Sequence, residues 1–76
     1  MSTIRPISWR KLSKIFELDG WTLSRIKGDH MVYTKDGFLR PVVIPRDSVV
    51  EVFIIKNNIK TAMISRERYF ELLEKV

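Results

Sequence analysis

The chain has 76 residues, no cysteine, and 14 Lys and Arg against 9 Asp and Glu, for a formal net charge of +5. A chain this short buries only about 60 to 65% of its unfolded surface, so the expectation is one small domain, residues 1–76, with one core and room for one site. The missing cysteine removes disulfide staples, Cys-based zinc sites and thiol catalysis together. No apolar run approaches the roughly 18 residues of a membrane span, and Met1 to Arg10 lacks the basic-then-apolar order of an export leader. The chain reads as soluble, without membrane contact, and suited to a reducing cytoplasm.

Residues 1–64 carry 11 basic against 6 acidic side chains, and residues 65–76 carry 3 against 3. The excess therefore lies outside the last segment. Such an imbalance attracts polyanions, of which nucleic acid is the common cytoplasmic case, although a net charge of this size also serves ordinary solubility.

Ser8 is the first helix signal, an N-cap with Ile7 and Leu12 placed as a hydrophobic staple. Trp9, Leu12, Ile15 and Phe16 recur at three- and four-residue steps, which predicts a helix from Trp9 to Asp19, closed by Gly20. From Trp21 the period shortens to two. Trp21 and Leu23 alternate with Thr22 and Ser24, which predicts a half-buried strand ending near Lys27. Gly28 breaks it, Asp29 to Lys35 reads as a second strand, and Asp36-Gly37 is a two-residue hairpin signal before a third strand, Phe38 to Ile44. Pro41 within that strand marks it as an edge or bulged strand.

Val49 to Ile55 is rich in β-branched residues. Val52, Ile55, Ile59, Ala62 and Met63 nevertheless share one helical face, which predicts a second helix at about 51 to 62, with Ser48 and Glu51 as an alternative capping box that starts it near Val49. Ser65 caps a last helix whose buried face is Tyr69, Leu72, Leu73 and Val76. The order is α-β-β-β-α-α. This is an α+β class fold, with a three-stranded antiparallel sheet covered by helices on one face.

The run Gly20-Trp21-Thr22-Leu23-Ser24-Arg25-Ile26-Lys27-Gly28-Asp29-His30, followed by Val32-Tyr33, resembles the glycine-aromatic, arginine, glycine-serine-histidine signature of the HicA, or YcfA-like, toxins. Pro6-Ile7-Ser8, Val43-Ile44-Pro45, Ile64-Ser65-Arg66-Glu67 and Phe70-Glu71-Leu72-Leu73 are similar to that family in the same order. The resemblance implies a fold like a double-stranded-RNA-binding domain (dsRBD-like) and a metal-independent endoribonuclease that cuts mRNA. It also implies silencing by a HicB-like antitoxin. Both a homodimer and a toxin–antitoxin hetero-oligomer are open as assemblies.

His30 is the only histidine, and it falls on the family's catalytic position. An unperturbed imidazole titrates near 6.5 and can both take and give a proton at neutral pH, which RNA cleavage requires at the nucleophilic 2′-hydroxyl or water and at the departing 5′-oxygen. Gly28 supplies the turn before it and, through exposed amides, a place for a phosphate. Lys27, Arg25, Lys35 and Arg40 are the candidate phosphate-binding cations around His30. No cofactor is implied, and no Asp, Glu or His cluster with metal-ligand spacing is present. Trp21 reads as core, Tyr33 as core with a hydroxyl able to reach a partner, and Lys56-Asn57-Asn58 as a solvated helix face.

Three positions depart from the family pattern. Asp29 stands where many members have serine, Pro45 is followed by Arg46-Asp47 where many have a second histidine nearby, and Ala62-Met63-Ile64 replaces a glycine between the last two helices. Asp29 and the single histidine keep a second reading open, a non-catalytic RNA-binding or antitoxin-binding module of the same fold. A plain interaction domain with Val49 to Ile55 as its contact face is a third.

Overall fold

The computed structural model describes residues 3–76 and orders them as α1 (Trp9–Leu18), β1 (Thr22–Lys27), β2 (His30–Thr34), β3 (Val42–Pro45), α2 (Val52–Thr61) and α3 (Arg66–Leu73). Met1 and Ser2, which open the stretch expected to carry no leader, lie outside the described residues. The three strands form one antiparallel sheet in the order β1-β2-β3. Among the described residues no helix is long and apolar enough to cross a membrane.

Local signals set the helix ends. The Ser8 hydroxyl oxygen accepts the Lys11 N–H at 3.3 Å, and the Ser65 hydroxyl oxygen accepts the Arg68 N–H at 3.1 Å, each satisfying a donor that the helix itself leaves free. Helix α1 stops one residue earlier than expected, because Asp19 is its C-cap and Gly20 turns with φ +98°. Trp21 N–H then donates to the Phe16 carbonyl and Gly20 N–H to that of Glu17, the paired bonds of a Schellman motif. The same pair of bonds closes α2, where Met63 and Ile64 donate to Lys60 and Ile59. There the left-handed position is held by Met63, with φ 56° and its side chain in solvent, so Met63 leaves the buried face predicted for α2.

Leu12, Ile15 and Phe16 of α1, Ile55 and Ile59 of α2, and Tyr69 and Leu72 of α3 pack with Met31, Tyr33, Val42 and Ile44 of the sheet in one core. Each such apolar side chain contributes about 1.5–3 kcal/mol by leaving water. Met31 and Ile44, and likewise Tyr33 and Val42, are register partners, so this face of β2 and β3 is the one the helices cover. The alternate residues, His30, Val32 and Thr34 on β2 with Val43 and Pro45 on β3, form the open face.

Three expectations require correction. Every residue of β1 is exposed, although alternation predicted a half-buried strand; α1 and α2 lie over β3, and only Trp21, just before β1, reaches the core. The third strand begins at Val42 instead of Phe38. Asp36-Gly37 does make a turn, in which Phe38 N–H donates to the Lys35 carbonyl, but Phe38 then packs on Trp21 at 5.0 Å and Pro41, with no N–H, stays outside the ladder. Finally, Val50 pairs with Ile7 as an isolated bridge, with its N–H 2.7 Å from the Ile7 carbonyl, so the alternative helix start near Val49 is not taken. The β-branched run is extended as far as this bridge and helical after Glu51.

Candidate active site

The site begins with a two-residue turn. Lys27 and His30 are register partners, with Gly28 and Asp29 between them, and Gly28 has φ +59°. A positive φ at the first central position alone is the type II′ arrangement, whose twist matches that of the flanking strands. Asp29 is thus a turn residue and not the start of the strand. Its carbonyl accepts the Arg46 N–H at 2.7 Å, which fixes the turn to the end of β3.

A β-bulge then decides which side chains join His30. Leu23 pairs with Tyr33, but Arg25 pairs with Val32, so one extra residue lies in β1 between them. Tyr33 faces the core and Val32 the open face, and the bulge therefore moves Arg25 onto the open face. Lys27, two residues on, joins it beside His30. Without the extra residue, simple alternation from Leu23 would put both cations on the other side.

The result is a shallow depression lined by Arg25, Lys27, Gly28, Asp29, His30, Val32, Pro41 and Val43. Its floor is apolar, Val32 with Val43 and Pro41, and its rim carries two cations, one imidazole and the Asp29 carboxylate. His30 is exposed and borders solvent. Among the described residues no ion pair engages Arg25, Lys27 or His30. Such a surface offers two cations, one exposed proton carrier and open backbone to an extended anionic chain.

Of the residues singled out in the sequence, Arg25, Lys27 and Gly28 are brought to His30, while Lys35 and Arg40 are placed elsewhere. Lys35 lies past the other end of β2. Its Nζ donates to the Asp19 carbonyl at 2.6 Å and stands 3.6 Å from the Asp19 carboxylate. That carboxylate also accepts from Trp21 Nε1 and from Arg68, so Lys35 belongs to a structural cluster that ties α1 to α3. Arg40 lines a recess with Asn57, Asn58, Lys60 and Thr61 on the α2 side. Asn58 is buried there, not solvated as expected.

Tyr33 keeps the mixed role expected of it. Its hydroxyl donates to Glu17 Oε2 at 3.2 Å, and burial raises the phenol above its usual range; a hydrogen bond with Ser13 opposes the rise and the Glu17 carboxylate adds to it. One further group of cations, near the same end of the sheet, has no signal in the sequence. The Arg10 and Arg46 guanidinium groups both lie over the Trp9 ring, 4.7 and 5.2 Å from its centroid.

The fold is a small α+β domain with one open sheet face, on which a lone imidazole lies among cations. Residues 9–64 match the family described as HicA toxin of bacterial toxin-antitoxin systems. The match covers everything from the first helix through the third strand to the end of α2, and the chain belongs to the HicA toxin family. No curated protein and no solved structure matches it.

Proposed function

We propose that this toxin is an endoribonuclease that cleaves mRNA without a metal, with His30 as its general acid-base. The observation that carries the reading is the grouping of His30 with Lys27, Arg25 and the Gly28 turn on a face the helices leave open. RNA lies across that face. Lys27 and Arg25 hold the non-bridging oxygens of the scissile phosphate, and the Gly28 turn lets the backbone of the substrate approach without meeting a Cβ; no atom lies within 4 Å of where one would be.

Neutral His30 accepts the proton of the ribose 2′-hydroxyl as that oxygen attacks phosphorus. The bond to the 5′-oxygen breaks, and the leaving oxygen takes a proton, from the imidazolium so formed or from water. The products are a 2′,3′-cyclic phosphate and a free 5′-hydroxyl, so atoms and charge balance without oxidant or reductant. A toxin of this kind is held inactive by a HicB-like antitoxin, and an acidic surface laid over Lys27, Arg25 and His30 would complement their charge.

Purified protein incubated with single-stranded RNA in chelating buffer should release fragments ending in cyclic phosphate. Salt-sensitive binding with intact RNA would select the non-catalytic module instead.

A further inference from the structure

We infer that Trp9, Arg10 and Arg46 form a second phosphate subsite, which holds the RNA backbone beyond the linkage cut at His30. The inference rests on the RNA-cleavage reading and extends it to residues on α1 and after β3.

Two guanidinium groups share one indole ring. Cation–π contact restrains two long side chains before a ligand arrives and leaves their N–H donors unspent on the ring. Neither arginine has a carboxylate partner among the described residues. Arg68 and Lys35, in contrast, are both engaged by Asp19. Two like charges held on one platform without a counter-ion repel each other, and a bound anion relieves that repulsion.

Position supplies the rest. Arg46 follows Pro45, the register partner of His30, and its N–H is bonded to the carbonyl of Asp29, the residue before His30. The Trp9 N–H donates to the Asp47 carbonyl at 3.1 Å. The platform is therefore fixed by backbone bonds to the same end of the sheet as the candidate active site. An RNA chain with its scissile phosphate at His30 that turns past this end of the sheet toward α1 next comes to Arg46 and Arg10. Guanidinium forks suit phosphate oxygens in bidentate geometry. The backbone bond from Arg46 to Asp29 ties the platform to the turn that carries His30, which favours a phosphodiester backbone as the ligand over an isolated carboxylate.

The test uses the full chain carrying His30→Ala, which binds without cutting, and a short single-stranded RNA titrated at several salt concentrations. Arg46→Gln should weaken binding about fivefold and lower the slope of log K against log salt by about 0.7, one phosphate contact, and Arg10→Gln should do the same. Trp9→Leu keeps the net charge but removes the platform, and should weaken binding about threefold, while Trp9→Phe, which keeps an aromatic face, should recover most of it. An Arg10→Gln, Arg46→Gln double variant that binds with unchanged affinity and slope overturns the subsite. So does a double variant that loses only its hold on an acidic protein partner. Failure of the cleavage reading is a separate result: the wild-type chain would then leave RNA intact whatever these variants do.

Discussion

Lys27 and His30 are partners across the tightest turn of the sheet, with only Gly28 and Asp29 between them. Both lie on the open face, and in the proposed mechanism a phosphate held at the imidazole also meets the ammonium. Lys27→Met should therefore slow RNA cleavage about tenfold while leaving the melting temperature unchanged, as measured by single-turnover cleavage beside a thermal scan. An unaltered rate would remove Lys27 from the site.

Gly28 is the hinge of that arrangement. Its φ of +59° lies where an L side chain is strained, although a Cβ would meet nothing. Gly28→Ala should cost about 1 kcal/mol in denaturant unfolding, from backbone strain alone. It should also lower the cleavage rate, because the turn sets the distance between Lys27 and His30.

Met63 presents the opposite case. It holds the left-handed position after α2 with φ 56° and a solvent-exposed side chain, so glycine would relieve strain with no packing lost. Met63→Gly should stabilise the protein by about 0.5–1 kcal/mol, read as a higher denaturant midpoint at constant slope.

Asp19 joins three elements through Trp21, Lys35 and Arg68 while its side chain is only 11% exposed. Asp19→Ala should cost about 2–3 kcal/mol, because several donors lose a charged acceptor at once. Lys35→Met should cost part of that stability and leave the cleavage rate per folded molecule unchanged. A slower rate with an unchanged fold would return Lys35 to the RNA surface.

Two buried phenols make the fold sensitive to alkali. Burial raises the folded-state pKa of both Tyr33 and Tyr69 above 10.0. The unfolded chain then gives up these protons first, so the stability they contribute is full below pH 10 and is lost as pH rises through the folded values. Denaturant midpoints should fall above about pH 10, and Tyr69→Phe should flatten the fall. Among the described residues the buried Tyr69 hydroxyl has no hydrogen-bond partner, so that variant should lose little stability at neutral pH.

Much of the fold was legible because local and long-range signals agreed. Ser8, Gly20 and Ser65 mark helix ends by hydrogen-bond chemistry that each residue carries with it, and the α1 stripe from Leu12 to Phe16 repeats at the helical period. The strands were read less well. Alternation at Trp21 and Leu23 suggested a buried face for β1, but burial depends on where helices fall, which the period of one strand does not encode. The bulge before Arg25 was invisible for a similar reason: it is a property of the β1–β2 pairing. Yet the bulge brings Arg25 and Lys27 to His30.

Within the candidate site, His30, Gly28 and Lys27 were legible because they adjoin in sequence. Lys35 and Arg40 looked equivalent to them as cations on flanking strands, but the Asp19 cluster and the late start of β3 draw them away. Trp9 read as a core residue from its helical position. Its contact with Arg46 depends on a chain reversal of more than thirty residues, which no local pattern reports.

In the proposed mechanism one imidazole, that of His30, performs the chemistry. Single-turnover cleavage of RNA in chelating buffer by the wild-type chain and by His30→Ala, both confirmed as folded, tests it most directly. The expected result is a loss of at least about 100-fold with RNA binding retained. Cleavage by His30→Ala at the wild-type rate would contradict it.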